Sequence, residues 1–388
     1  MKKILFINTQ FPLFSAPNCG GANRSQMFLQ ALARVGHVDV ISFWADEESD
    51  MLNCEVIHSG RPNISSTKKY SGMSKFIRLL MPWNAECVFP LNKELEKFID
   101  GIIAKGRYDY VAVRYLYVAA ECGLLKYSRK LIIDIDDNPR NMFALRSQQA
   151  DKWSQRFYYL LASLSAAIMT RIVLRKVYRS FYPNPEQCPS RHSILLHNVS
   201  IQNNKLQPIS SDTPQRVLVV GSWWYYPNKS GLEHFVSHVW PKVVKVIPNA
   251  ELRVVGKGME PALINSQGVN VLGFVDDIMQ EYQQVRCVIV PIYQGCGTCV
   301  KVIETMCVNR PFVSTPFGVR GLENNIKDGD DYLLAKNDAT FAEHVIELLQ
   351  KPKFGAQIAS NALNSAQRNF SVEKFNQIIA SAINGDVA

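Results

Sequence analysis

The chain is short of the features that mark several classes of protein. Its N-terminal apolar run, Ile4-Leu5-Phe6-Ile7, is four residues long, and Thr9-Gln10 follow without a cleavage pattern. That is too short for a bilayer span or a secretory leader and reads as a first strand. The nine cysteines are odd in number and irregularly spaced. They suit a reducing compartment better than a disulfide framework, and no metal site is expected from them. There is no low-complexity tract and no repeat at solenoid periods. No helix-turn-helix, zinc-finger or RNA-binding signature accompanies the net charge of +9, so a nucleic-acid partner is not expected. Acidic residues are missing from two stretches. Between Val56 and Ala85 stand Arg61, Lys68, Lys69, Lys75 and Arg78, and between Lys152 and Pro185 stand Lys152, Arg156, Arg171, Arg175, Lys176 and Arg179. Leucines and aromatics separate those charges, as on a surface facing anionic lipid, although a solvated basic face has the same composition.

With 47% hydrophobic residues over 388 positions, the chain can bury cores for two or three domains. Its most informative run is P-I-Y-Q-G-C-G-T-C-V-K-V-I-E-T-M-C-V-N-R-P, from Pro291 to Pro311. The preceding residues, Val285 to Val290, read as a buried strand. Val302, Ile303 and Met306 then recur at helical spacing. A strand, a loop with Gly295 and Gly297, and a helix start aim backbone N–H groups and a positive dipole end at an anion. Lys301 falls in the first helical turn, where its charge can meet a phosphate. Glu304, one turn on, can accept hydrogen bonds from a ribose diol. Thr298 completes a set suited to a nucleoside diphosphate.

This run resembles the donor-binding motif of group 1 glycosyltransferases, commonly G-x-G-T-x-x-K-x-x-E-A-M. Thr305 stands where alanine is usual, and Cys296 stands where many members carry a further glutamate. The resemblance extends through V-G-S-W-W-Y-Y-P-N, L-R-V-V-G-K-G, V-L-G-F-V-D-D and T-P-F-G-V-R-G-L, and covers the chain to about Leu349. It implies an α/β GT-B fold of two Rossmann-like doubly wound domains facing a cleft, and sugar transfer with retention. The implied donor-binding set is Gly20, Gly21, Gly221, Ser222, Phe274, Gly297, Thr298, Lys301 and Glu304.

The pattern of strands and helices leads independently to a doubly wound reading. Strands are expected at Ile4–Ile7, Val38–Phe43, Tyr110–Val113, Lys130–Ile135 and Ser193–Leu196. After a polar stretch at Gln202–Gln215 come Arg216–Gly221, Leu252–Gly256, Val269–Gly273, Cys287–Val290 and Phe312–Ser314. The expected domains are 1–203 for the acceptor, 204–368 for the nucleotide sugar, and a C-terminal helix at 369–388 that in the resembled family crosses back to the first domain.

Other candidates carry alternatives. Gly20-Gly21 ends the first loop ahead of a helix, where glycine lets backbone approach a ligand. Ser222 follows Gly221 where the family often has arginine, so Lys301, and more weakly Lys229, must supply the positive charge. Asp134-Ile-Asp-Asp137 could be a metal-binding D-x-D of the single-domain GT-A type, a turn, or a loop in which Asp136 faces the transferred sugar. Of Trp223, Trp224, Tyr225 and Tyr226, half are expected to anchor the loop in the core. His197 reads as structural, and Arg320 as either a ligand contact or a surface residue. The expected enzyme is a cytoplasmic, nucleotide-sugar-dependent transferase, hexosyl by resemblance, working without a metal. Its acceptor is a glycan or a lipid-linked molecule, at an anionic membrane surface. A metal-dependent GT-A-like enzyme and a non-catalytic basic binding protein are the competing readings.

Overall fold

The computed structural model describes residues 1–14, 20–45, 51–63, 73–185, 193–200, 206–260, 266–295 and 297–385. Cys296, Lys68, Lys69 and the expected 203/204 boundary lie outside them. The chain divides into two compact units, Met1–His197 with Glu373–Ala388, and Asn198–Val372.

The first unit is built on strands β1 (Lys2–Asn8), β2 (Gly36–Ser42), β3 (Cys54–His58), β4 (Tyr110–Arg114), β5 (Leu131–Asp134), β6 (Arg179–Tyr182) and β7 (Ile194–Leu195). They form a sheet in the order β3-β2-β1-β4-β5-β6-β7, with every pairing parallel. Continuous apolar runs suit parallel strands covered on both faces. Ile4, Leu5, Phe6, Val111, Ala112 and Val113 are fully buried. Helices α1 (Gly20–Val35), α2 (Met73–Leu79), α3 (Lys93–Gly106), α4 (Leu116–Glu121), α5 (Pro139–Gln149) and α6 (Trp153–Leu174) complete this part. Asn138 caps α5 by accepting from the Arg140 amide, with Pro139 in the first turn, the position where a missing N–H does no harm.

The second unit has strands β8 (Arg216–Val220), β9 (Glu251–Val255), β10 (Val269–Gly273), β11 (Cys287–Val290), β12 (Phe312–Ser314) and β13 (Leu333–Leu334), in the order β10-β9-β8-β11-β12-β13. All its pairings are parallel too. Around it lie α7 (Tyr226–His234), α8 (Trp240–Val246), α9 (Ile278–Gln283), α10 (Val300–Cys307), α11 (Asp338–Gln350) and α12 (Pro352–Asn369). Between α7 and α8 the helix is interrupted by a π turn at Phe235–Val239. Pro241 follows in the first turn of α8. It lacks an N–H and crowds the preceding turn, which the wider π turn relieves.

The last helix, α13 (Val372–Asn384), groups with the first unit from Glu373 onward. Arg179 Nε donates to the Ala382 carbonyl at 2.8 Å, and Lys2 Nζ to that of Ile383 at 2.8 Å. Cations thus meet the orphan carbonyls of a helix C-terminus.

Backbone contacts join the carboxyl ends of β8, β9 and β10. The Gly221 amide donates to the Val255 carbonyl at 3.0 Å, and the Gly256 amide to the Gly273 carbonyl at 2.7 Å. Gly256 has φ +128°, and a Cβ there would lie 1.7 Å from the Gly221 oxygen. Gly256→Ala is therefore expected to cost on the order of 2 kcal/mol, through strain and clash together. Gly329, with φ +80° and open space around it, is the comparison, since alanine there meets only the backbone penalty. Urea unfolding of both variants checks this, and equal losses would remove the clash from the account.

Candidate functional site

In the second sheet β8 and β11 are neighbours, with β9 and β12 on opposite sides of the pair. This is the switch point where open parallel sheets bind ligands at the carboxyl ends of their strands. The loop after β11 carries Gly295, Gly297 and Thr298 into α10. Gly295 has φ +152°. The Thr298 hydroxyl oxygen is buried without a hydrogen-bond partner among the described residues. Such a group costs about 1–3 kcal/mol until something binds it. Lys301 sits in the first turn of α10 and donates to Asn228 Oδ1 at 2.9 Å. Among the described residues it has no salt bridge. Burial lowers the Lys301 pKa, against the opposing pull of Cys299 and Glu304. Burial likewise raises that of Glu304, with Lys301 working the other way. A half-buried cation paired with a neutral amide, beside a helix N-terminus, can accept an anion.

The loop after β8 is the second wall. Asn228 Nδ2 donates to the Ser222 carbonyl at 3.0 Å. One amide thus ties Gly221-Ser222 to Lys301. Glycine at 231 lets α7 approach the β11 loop, since a Cβ there would meet the Pro291 oxygen at 1.8 Å. Phe274, just past β10, is exposed, and Lys257 Nζ stands 4.3 Å from its ring centroid. Of the four aromatics, Trp223 alone is in the core, one rather than the expected two, and Trp224, Tyr225 and Tyr226 are exposed. Arg320 lies with its guanidinium carbon 4.0 Å from the Phe317 ring centroid and donates to the Gly295 carbonyl at 3.4 Å. It therefore touches the glycine loop, which its place in the sequence did not decide.

Cys296 and Cys299 frame Gly297-Thr298 as a C-x-x-C. Burial pushes the Cys299 thiol up, away from the thiolate a metal needs, and two thiols fall short of the four ligands of a structural zinc. A shallow polar groove of about 720 Å³ lies elsewhere on this unit, along Glu323, Lys327, Asp330, Asn361 and Arg368, and none of the candidate residues lines it.

In the first unit the switch point lies between β1 and β4. Gly20 and Gly21 form the first turn of α1, not the end of the preceding loop. The Gly21 carbonyl accepts from Arg114 Nη1 at 2.5 Å. A Cβ on Gly21 would stand 2.6 Å from the Phe11 ring. Asp134 is fully buried and bound on both oxygens. Arg24 donates to Oδ1 at 2.6 Å and to Oδ2 at 2.8 Å, and Arg114 Nε to Oδ2 at 2.9 Å. Burial works to raise this carboxyl, but Arg24 and then Arg114 hold it below the usual range. With two guanidiniums on it, Asp134 offers no face to a divalent cation, which removes it from the D-x-D reading. Removing either arginine from such a site typically costs about 3–5 kcal/mol. Asp136, two residues on and 17% exposed at its side chain, accepts from Arg114 Nη2 and lies 3.4 Å from the Tyr115 hydroxyl. His197 Nδ1 bonds the Pro183 carbonyl at 3.1 Å, and burial pushes its pKa down to about 4, so the ring is neutral at pH 7.

The family model for Glycosyl transferases group 1 matches residues 214–351. The second unit is thus similar to a group 1 glycosyltransferase domain over most of its length. Across the whole chain, the fold is that of GT-B glycosyltransferases. Sucrose-phosphate synthase from Thermosynechococcus elongatus superposes with a TM-score of 0.70 at 16% identity, covering 99% of each chain. Anabaena Alr3699/HepE, solved in complex with UDP-glucose, gives a TM-score of 0.64 at 15% identity over 99% of this chain and 100% of its own. In sequence, an uncharacterized 44.6 kDa protein in the cps region of Klebsiella pneumoniae is 22% identical, over 96% of this chain and 98% of its own.

Asn228, Arg24 and Arg114 were missed in the sequence. Asn228 follows a proline in a loop and reads as an ordinary turn residue. The arginines sit in apolar segments, where a lone cation is the available signal of a buried partner. Asn228→Ala is expected to weaken nucleoside diphosphate binding roughly tenfold, the effect of one lost hydrogen bond to a charged group, with little change in melting temperature. Calorimetric titration checks it, and an unchanged Kd would separate Asn228 from the positioning of Lys301.

Proposed function

We propose that this protein transfers a sugar, by resemblance a hexose, from a nucleotide-sugar donor to a glycan or lipid-linked acceptor, with retention, in polysaccharide or glycoconjugate assembly. The observation that carries the reading is Lys301, a half-buried cation beside the α10 N-terminus and the unpaired Thr298 hydroxyl at the sheet's switch point. The UDP-glucose complex of the Anabaena neighbour and the cps-region relative support the donor class and the pathway class respectively.

In this reading the bond between the sugar's anomeric carbon and the terminal phosphate oxygen breaks, that oxygen takes up the bonding pair, and the acceptor hydroxyl forms a new bond to the carbon and passes its proton to the phosphate oxygen released. The departing diphosphate gains negative charge. In this reading Lys301 and the helix end meet that charge, and fixed donors aimed at developing charge are usually the largest single contribution to catalysis. Glu304 accepts from the ribose hydroxyls. Gly221, Ser222, Gly297 and Thr298 bring backbone and a hydroxyl to the phosphates, Phe274 offers a ring face at the rim, and Gly20 and Gly21 present the first unit's helix end to the donor. No metal is called for when Lys301 and α10 carry this charge. Asp136 contacts the transferred sugar, and the enzyme works in the cytoplasm at an anionic membrane face.

Lys301→Ala is expected to lower kcat by about 10²–10³, the usual loss of one electrostatic stabiliser. Glu304→Ala is expected to raise the Kd of the nucleoside diphosphate roughly tenfold. Wild-type activity in both variants would sink the assignment of this loop. Asp136→Ala should lower turnover while leaving nucleoside diphosphate affinity near wild type. Steady-state rates set beside calorimetry decide it, and unchanged turnover would leave Asp136 as a structural partner of Arg114, Arg24 and Tyr115.

A further inference from the structure

Helix α6 carries an apolar stripe on its outer face. Trp153, Phe157, Leu160, Leu164 and Ile168 follow one another at spacings of four, three, four and four, and each is between 44% and 77% exposed. The stripe ends in cations. Lys152 and Arg156 stand at its start, and Arg171, Arg175 and Lys176 continue past its end, all exposed. No acid occurs from Lys152 to Pro185, and Asp151 directly precedes that stretch. Packed on α6 through the Phe76–Tyr158 ring pair, at 5.5 Å between centroids, is α2. The chain leaving α2 exposes Leu80, Met81 and Trp83 as well.

The opposite face of α6 is occupied. Ala162, Ala166, Met169 and Leu174 are in the core of the first unit, and Ser163 Oγ donates to the Arg140 carbonyl at 2.9 Å. At 22 residues the helix is long and apolar enough to cross a bilayer by length and composition, more than the uncharged Tyr158–Met169 run in the sequence indicates. Its packed inner face instead keeps it lying along the protein surface. A helix with one face in its own domain and an apolar, base-flanked face outside suits the plane of a membrane interface.

We infer that the outer face of α6, from Lys152 to Lys176, docks the protein on an anionic lipid leaflet, with Trp153, Phe157, Leu160, Leu164 and Ile168 entering the interface and the flanking cations meeting headgroups. This rests on, and deepens, the reading of a membrane-side acceptor given above. Charge decides the occupant. If a second copy paired on this stripe, parallel or antiparallel, basic ends would face basic ends, with Asp151 the single flanking acid in the sequence of each. A leaflet supplies the missing negative charge, and each exposed cation raises partition onto it roughly fivefold.

The test is flotation of the full chain with vesicles of phosphatidylcholine alone and of phosphatidylcholine with an equal part of phosphatidylglycerol. Co-flotation with the anionic vesicles, diminished by salt, is expected. Leu160→Asp/Leu164→Asp should lower the bound fraction at least roughly tenfold, and Arg171→Ala/Arg175→Ala roughly twentyfold or more. Both variants should keep the wild-type circular dichroism and the thermal shift with UDP. That shift reports donor binding separately, so failure of the donor reading and failure of the membrane reading are told apart. Equal recovery with neutral and anionic vesicles, none with either, unaltered recovery of both variants, or a dimer dissolved by Leu160→Asp/Leu164→Asp would each overturn the proposal.

Discussion

Within each sheet every strand runs in one direction, and the placement of all the candidate residues follows from that. A parallel sheet delivers the loops leaving its strands to a single edge. Gly221 follows β8, Gly256 follows β9, Phe274 follows β10 and the Thr298 loop follows β11, so residues more than seventy positions apart are brought to one rim. The first unit repeats the arrangement with Arg114 at the end of β4, Asp134 at the end of β5 and Asp136 in the next loop. The reverse turn of the chain order at the central pair leaves a gap there that helices do not fill.

The two rims handle charge in opposite ways. In the first unit Asp134 is saturated, with each oxygen bound by guanidinium. Its arginines hold α1, β4 and β5 together, and Arg114 also reaches the Gly21 carbonyl and Asp136. That network is structural in its energetics, and it fixes Asp136 in place. In the second unit Lys301 has an amide for a partner and no carboxylate in salt-bridge range among the described residues. The same burial that is satisfied at Asp134 is left open at Lys301. Unsatisfied, half-buried charge costs stability and is retained where a ligand completes it.

Much of this was legible in the sequence, and what was not has physical causes. The apolar runs of β1, β4, β5, β8 and β11 are continuous because both faces are covered, and they stand out for that reason. Strands β3, β6 and β13 are edge or near-edge elements with mixed composition, as in Cys54-Glu-Val-Ile-His58, and carry little periodic signal. Helix α12 went unseen because its buried face is built from small residues, Gly355, Ala359, Ala362, Ser365 and Ala366, with Ile358 and Leu363. Lys301 and Glu304 could be picked out as candidates from spacing because they lie on one turn of one helix. Asn228 could not, because its role arises from a contact across seventy-three residues.

The π turn at Phe235–Val239 sets the rotational phase of the helix beyond it. An α-helix turns about 100° per residue, and a π turn takes up one extra residue without that rotation, so the apolar pattern beyond it is offset by one residue. Here Phe235, Val236 and Val239 face the core before the turn ends, and Trp240 faces it just after, with its indole N–H donating to the Gln267 carbonyl at 2.8 Å. A chain one residue shorter at this point would regain regular α-helical hydrogen bonding. The full-length chain wound as a regular α-helix would instead turn α8 by about 100°, carrying the Trp240 ring away from Gln267 and bringing Lys242 round to the side where Val243 is buried. The irregular turn is thus a register device: it lets two segments of different apolar phase share one helical axis and one core.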